Sequence, residues 1–180
     1  MDERCPMDRP AVHGELERVR SDFHRLLAQA SAADLRGPTA GTRWTNEQLL
    51  FHMLFGYMLV RVLLLLPGLF RRLPGAVGRT FARLLDAAAR PFHVINYVSS
   101  VAGALFYNHR RMGAKLDRTL AALQRRLDRE NDASVTRGMP FPPRWDPFFR
   151  DWMTRADLYR YPTQHYDFHR TQLTLGPARD

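Results

Sequence analysis

Cysteine is almost missing from this chain: one residue, Cys5, in 180. No internal disulfide framework can form, and a lone thiol in a Pro-containing terminal stretch, without an activating base, is a poor nucleophile. Lysine is almost missing too. Lys115 stands alone, so the formal net charge of +9 is carried by arginine. The arginines are dispersed among acids, as in "RTLAALQRRLDREND", without a basic run or interleaved aromatics, which reflects a high-GC coding background rather than a dedicated nucleic-acid surface. No specific nucleic-acid partner is expected. The opening "MDERCPMDRP" carries acids and no apolar core region, so it reads as neither a secretory signal nor a transit sequence, and a cytoplasmic location is expected. Also lacking is any apolar/polar alternation long enough to build a sheet, and any internal repeat.

What is present is helical. A hydrophobic content of 45% suits one domain spanning residues 1–180, with residues 1–9 as a flexible tail. Val12, Leu16, Val19, Phe23 and Leu26 recur at steps of three and four, predicting a first helix from Pro10 to Ala30. "SAADLRGPTAG" then reads as a loop. In "TRWTNEQLLFHML", Thr45 and Gln48 have the spacing of a capping box, and Trp44 and Leu49 that of a hydrophobic staple. The second helix runs on through "LFGYMLVRVLLLL" to Pro67 and is apolar on nearly every side. Its length approaches a membrane span, but His52 and Arg61 inside the run oppose insertion. The expectation is a buried helix without a transmembrane span, with "LVRVLLLLPGLF" available for peripheral membrane contact or for a homodimer.

Residues 67–90 are too long for a hairpin between neighbouring helices and read as a crossover holding a short helix near Thr80–Ala89. Pro91 suits the first position of a third helix. Its stripe from Val94 and Val98 through Leu116 to Leu127 predicts one rod of about 55 Å at 1.5 Å per residue, bent near Gly103 or Gly113. His109 falls on that stripe and reads as a core histidine with a hydrogen-bond partner. After the Pro- and aromatic-rich "MPFPPRWDPFF", Asp146 and Pro147 read as the cap and first residue of a fourth helix, kinked at Pro162. The fold class is all-α: a four-helix bundle whose long connection between helices two and three contains a short extra helix.

Chemistry concentrates on histidine. His165 and His169, in "HYDFHRTQL", are four apart and project from one helix face, so their imidazoles can meet one metal ion from successive turns. His52 sits two turns into the capped second helix, in an apolar segment where an imidazole needs a partner. Gly56, one turn on, leaves room beside it, either for an ion and ligand or for close helix packing.

"TRWTNEQLLFHML" together with "HYDFHRTQL" resembles the DinB superfamily, the DinB/YfiT-like or thiol-transferase-like four-helix bundles. The resemblance spans about Leu16 to Leu173 in helix order, crossover and motif placement. It implies that one histidine of the second helix and an HxxxH pair of the fourth bind a divalent metal, zinc or nickel being usual. Carried onto this chain, the metal ligands are His52, His165 and His169. It further implies activation of a low-molecular-weight thiol, mycothiol-like, for transfer to a small electrophile, with the substrate entering near "MPFPPRWDPFF". The alternative is a non-enzymatic, metal-stapled bundle acting as a stress-related or membrane-peripheral interaction protein. A fourth protein ligand such as His109 would favour the staple. Neither Glu47 nor Asp167 is assigned as a partner of the histidines.

Overall fold

The computed structural model describes residues 7–175. The helices are α1 (Arg9–Gln29), α2 (Ala32–Arg36), α3 (Asn46–Leu63), α4 (Leu66–Phe70), α5 (Gly75–Ala87), α6 (Ala89–Phe106), α7 (His109–Arg129), α8 (Asp132–Val135) and α9 (Arg155–Arg170). Two short strands, β1 (Gly138–Pro140) and β2 (Trp152–Thr154), pair antiparallel. Four long helices close a ring, in which α1 packs on α7, α7 on α3, α3 on α9 and α9 back on α1. The chain is an all-α helical bundle.

Each bundle helix begins where its sequence offers an oxygen to the free N–H groups of the first turn. Asp8 caps α1, accepting from the Ala11 amide at 2.9 Å. The tail expected at residues 1–9, with Cys5, lies outside the described residues as far as residue 6, and its last two residues belong to this helix start. Thr45 and Gln48 form the expected capping box on α3. The core between the four helices is built from their apolar stripes, with Leu16, Phe23, Leu50, Leu54, Leu116 and Leu120 all buried.

Several expectations are corrected. The segment "SAADLRGPTAG", read as a loop, holds the short helix α2, which Ser31 caps by accepting from the Asp34 amide. The third helix is not one rod: it breaks at Tyr107, and Asn108 starts α7 afresh by accepting from the Arg110 amide at 3.2 Å. Gly103 and Gly113 lie inside continuous helices, and α6 begins at Ala89, so Pro91 is its third residue. Asp146 does not open the last helix. It accepts from the Phe148 amide at 2.9 Å in a local turn, after which Phe149 is drawn into the core and the chain runs into β2. Thr154 and Asp157 supply the capping box of α9 instead, and that helix passes through Pro162 without interruption. His109 is not a core residue. It stands half-exposed at the start of α7, where its backbone N–H and Nδ1 both contact Glu47 at 2.8 Å.

Breaking the third helix separates two jobs. The α7 segment completes the ring, while α6 packs outside it on α3. The segment Asn46–Phe70 is long and apolar enough to cross a membrane, with a mean hydropathy of 2.2, and 61% of an 18-residue window within it is buried inside the protein. Close contact between α3 and α6 is made possible by Gly103: a Cβ there would come within 2.1 Å of the Phe51 ring, itself buried. Gly103→Ala must therefore push α6 off α3 and is expected to lower unfolding free energy by on the order of 2 kcal/mol in a denaturant titration.

Candidate metal centre

Two helices carry the site, and a polar clamp registers them. Asn46, fully buried at the start of α3, donates from Nδ2 to the Asp34 carbonyl at 2.8 Å and accepts from the Thr174 amide at 3.0 Å. The Ala40 amide reaches the Gln172 carbonyl at 2.8 Å. The beginning of α3 is thereby tied to the end of α9, so the two lie antiparallel. His52, two turns into α3, comes to rest beside the last turns of α9.

That registration brings His52, His165 and His169 together, with one ligand atom from each lying within 4.8 Å of the others. Nε2 of His52 and Nε2 of His165 are 3.1 Å apart. Ring centroids are separated by 4.8 Å for His52–His165, 4.7 Å for His52–His169 and 4.5 Å for His165–His169.

The partners of the outer nitrogens decide what the inner ones can do. Ser100 of α6 spends its hydroxyl proton on the Asn96 carbonyl at 2.8 Å, so its oxygen accepts from His52 Nδ1 at 3.1 Å. His169 Nδ1 donates to the Gln172 side-chain carbonyl at 2.7 Å. Both assignments put the ring proton on Nδ1 and leave Nε2 as a bare lone pair. His165 has no such anchor. Its Nδ1 is buried without a hydrogen bond and packs against Gly56, where a Cβ would stand 3.0 Å away. Gly56 thus lets a site histidine pack close against α3.

Burial keeps all three rings neutral. It pulls His52 down to about 3, a proton on His169 disfavouring one on His52 further, and holds His165 well below the ordinary histidine range. His169 is lowered by burial as well, against the opposing influence of Gln172 and Asp146. Nothing holds a proton on His165 Nδ1, so without a metal the neutral ring donates from Nε2 to His52 Nε2 at 3.1 Å, and release of that proton bares a lone pair on each ring. A divalent cation satisfies both lone pairs and His169 at once, so the three-histidine group fits a metal ion.

Several further residues converge on the site without a sequence signal that identified them. Asp146, expected as a helix cap, accepts from the Tyr161 hydroxyl at 2.9 Å and lies 3.7 Å from His165 Nε2. Burial raises its pKa, against the Phe148 and Tyr161 hydrogen bonds. Trp44 stacks on His52 at 4.4 Å, and Tyr97 of α6 stacks on Trp44 at 6.1 Å. Ser100 and Tyr97 lie in a segment that reads only as apolar stripe; Gln172 was legible as the residue one turn after His169. Glu47 and Asp167 are engaged elsewhere, Glu47 with His109 and Asp167 with Arg18 at 2.8 Å.

The aromatic loop folds over the site. Gly56, Phe92, Trp145, Asp146 and Phe149 line a cavity of about 20 Å³ beside His52 and His165, room for one water. Trp145 closes it, stacked on Phe92 at 3.8 Å and donating from Nε1 to the Leu85 carbonyl at 2.6 Å. A larger groove of about 960 Å³ runs between α5 and the β1–β2 hairpin and contains none of the three histidines.

An all-α bundle with a buried three-histidine group able to hold a metal defines the class of protein. More particularly, a model of the DinB superfamily matches residues 15–173, and the chain belongs to that superfamily. No curated protein and no solved structure matches it in the corresponding comparisons.

Elemental analysis after loading with zinc or nickel is expected to find one ion per chain, and none retained by His52→Ala, His165→Ala or His169→Ala. Ser100→Ala removes only the acceptor behind His52 and is expected to weaken metal binding about tenfold or more in a chelator competition.

Proposed function

We propose that this chain is a divalent-metal-dependent enzyme of the DinB-like class that activates a low-molecular-weight thiol, mycothiol-like, for transfer to a small electrophile in the cytoplasm. The observation that carries the reading is the convergence of His52, His165 and His169, one ligand atom of each within 4.8 Å of the others. A zinc or nickel ion held there supplies a lowered pKa for a thiol or water that shares it.

The chain's own residues do the remainder. Ser100 and Gln172 hold two imidazoles in the tautomer that keeps Nε2 bare. Asp146, buried beside the histidines with a carboxylate oxygen 3.7 Å from His165 Nε2, is placed to accept the thiol proton. Sulfur then bonds to the electrophilic carbon as the bond to the leaving group breaks; a halide departs as the anion, and Asp146 passes the proton to solvent. Phe149 and Trp145 limit the cavity to about one water, so substrate entry requires Trp145 to leave Phe92.

One observation favours the second reading, a metal that only staples α3 to α9. The Asp146 carboxylate is within 3.7 Å of His165 Nε2, near enough to close the site as a fourth protein ligand. His109, the fourth ligand considered from sequence, is occupied by Glu47.

The two readings part in a thiol-consumption assay on metal-loaded protein with mycothiol and a generic haloalkane electrophile. The enzyme reading expects turnover that Asp146→Asn reduces about a hundredfold, with metal content unchanged. No consumption above the protein-free rate, or metal loss in Asp146→Asn, sinks it in favour of the staple.

A further inference from the structure

Helix α6 is packed inside out. At 100° per residue Val94, Val98 and Leu105 share one face with Ile95 on its flank, and this face is turned to solvent, with Leu105 80% exposed and Val94 63%. The face toward α3 holds Ala89, Ser100 and Ala104, all buried. A helix of a soluble bundle does the reverse and buries its large apolar side chains. No charged residue occurs from Pro91 to Asn108, so nothing on the outer face keeps it wet.

The same stretch of chain carries most of the other exposed apolar side chains. Twelve of the fourteen exposed large apolar side chains among the described residues lie between Val62 and Phe106. The same part of the chain concentrates the charge: eight arginines against the single acid Asp86 lie between Arg61 and Arg111, a net +7 in a chain whose total is +9. All eight arginines are exposed, and none joins an ion pair among the described residues. Arg18, Arg25 and Arg170, on the other side of the bundle, are each paired with a carboxylate.

Apolar side chains and unpaired arginines interleaved on one segment restrict what can cover it. A second copy related by a twofold axis would set the patch against itself, arginine against arginine. A lipid surface with anionic headgroups meets both parts, taking the apolar side chains into the acyl boundary and the guanidinium groups at the phosphates. We infer that residues 62–106 form a docking face for an anionic lipid surface. Helix α6 lies along that surface, with Arg90 at one end and Arg110 and Arg111 just past the other reaching to headgroups. Phe92 and Asn96 of α6 also line the cavity beside the histidines, so docking places that wall of the site at the lipid.

The test is co-sedimentation of the full chain with vesicles of equal parts phosphatidylcholine and phosphatidylglycerol, beside vesicles of phosphatidylcholine alone. The chain is expected to pellet with the mixed vesicles and to stay in solution with the neutral ones. Arg79→Gln and Arg83→Gln are each expected to weaken binding about fivefold, and added salt to weaken it further. Val98→Glu with Leu105→Glu, both at exposed positions, is expected to abolish pelleting with an unchanged circular dichroism spectrum. His52→Ala is expected to pellet as the parent does, which separates this inference from the metal reading. A parent chain that ignores mixed vesicles, or full binding by the double glutamate variant, overturns it. So does a dimer in sedimentation velocity that Val98→Glu splits while vesicle binding is absent.

Discussion

Two imidazole nitrogens, on His52 and His165, face each other at 3.1 Å in an interior that admits about one water. Without a metal it is a hydrogen bond from neutral His165 to His52, and a second proton on either ring is costly where burial holds both far below the ordinary range. Much of the surrounding structure can be understood as keeping this contact in place. The Asn46 clamp sets the register of α3 against α9. Gly56 lets the His165 ring approach α3, and Ser100 and Gln172 fix the rings from behind. Loosening any one of these would let the nitrogens separate and find other partners.

Helix α6 links this interior to the outside of the molecule. Its small inner residues allow it to lie close enough to α3 for a serine hydroxyl to reach His52, and Gly103 sits directly over the Phe51 ring. Small side chains inside leave the large ones outside. The same packing choice that supplies the support behind His52 therefore produces the exposed apolar face, and the arginines of the adjoining segment give that face its charge.

Much of the scaffold was readable in order. The α1 stripe, the Thr45–Gln48 box and the i, i+4 spacing of His165 and His169 are local signals, written in residues a few positions apart. The failures also have local causes. A continuous apolar stripe hid the break at Asn108, because periodicity does not register a cap inside a run. The Asp146–Pro147 pair carries the same signal for a turn as for a helix start, and only the pull of Phe149 into the core distinguishes them. His109 looked buried because its stripe did, whereas a helix that starts at that residue presents it at an exposed end.

By itself the sequence determined the helical class, the apolar α3 with His52 on it, and a histidine pair on one face of α9, since each depends on spacing along one helix. Tertiary structure alone decided that these faces meet, which nitrogens are bare, and that Asp146 and Ser100 join them. Those contacts span 113 residues between His52 and His165 and 48 between His52 and Ser100. No periodicity encodes a hydrogen bond between separate helices. It arises from how side-chain volumes such as Gly56 and Gly103 let the helices approach.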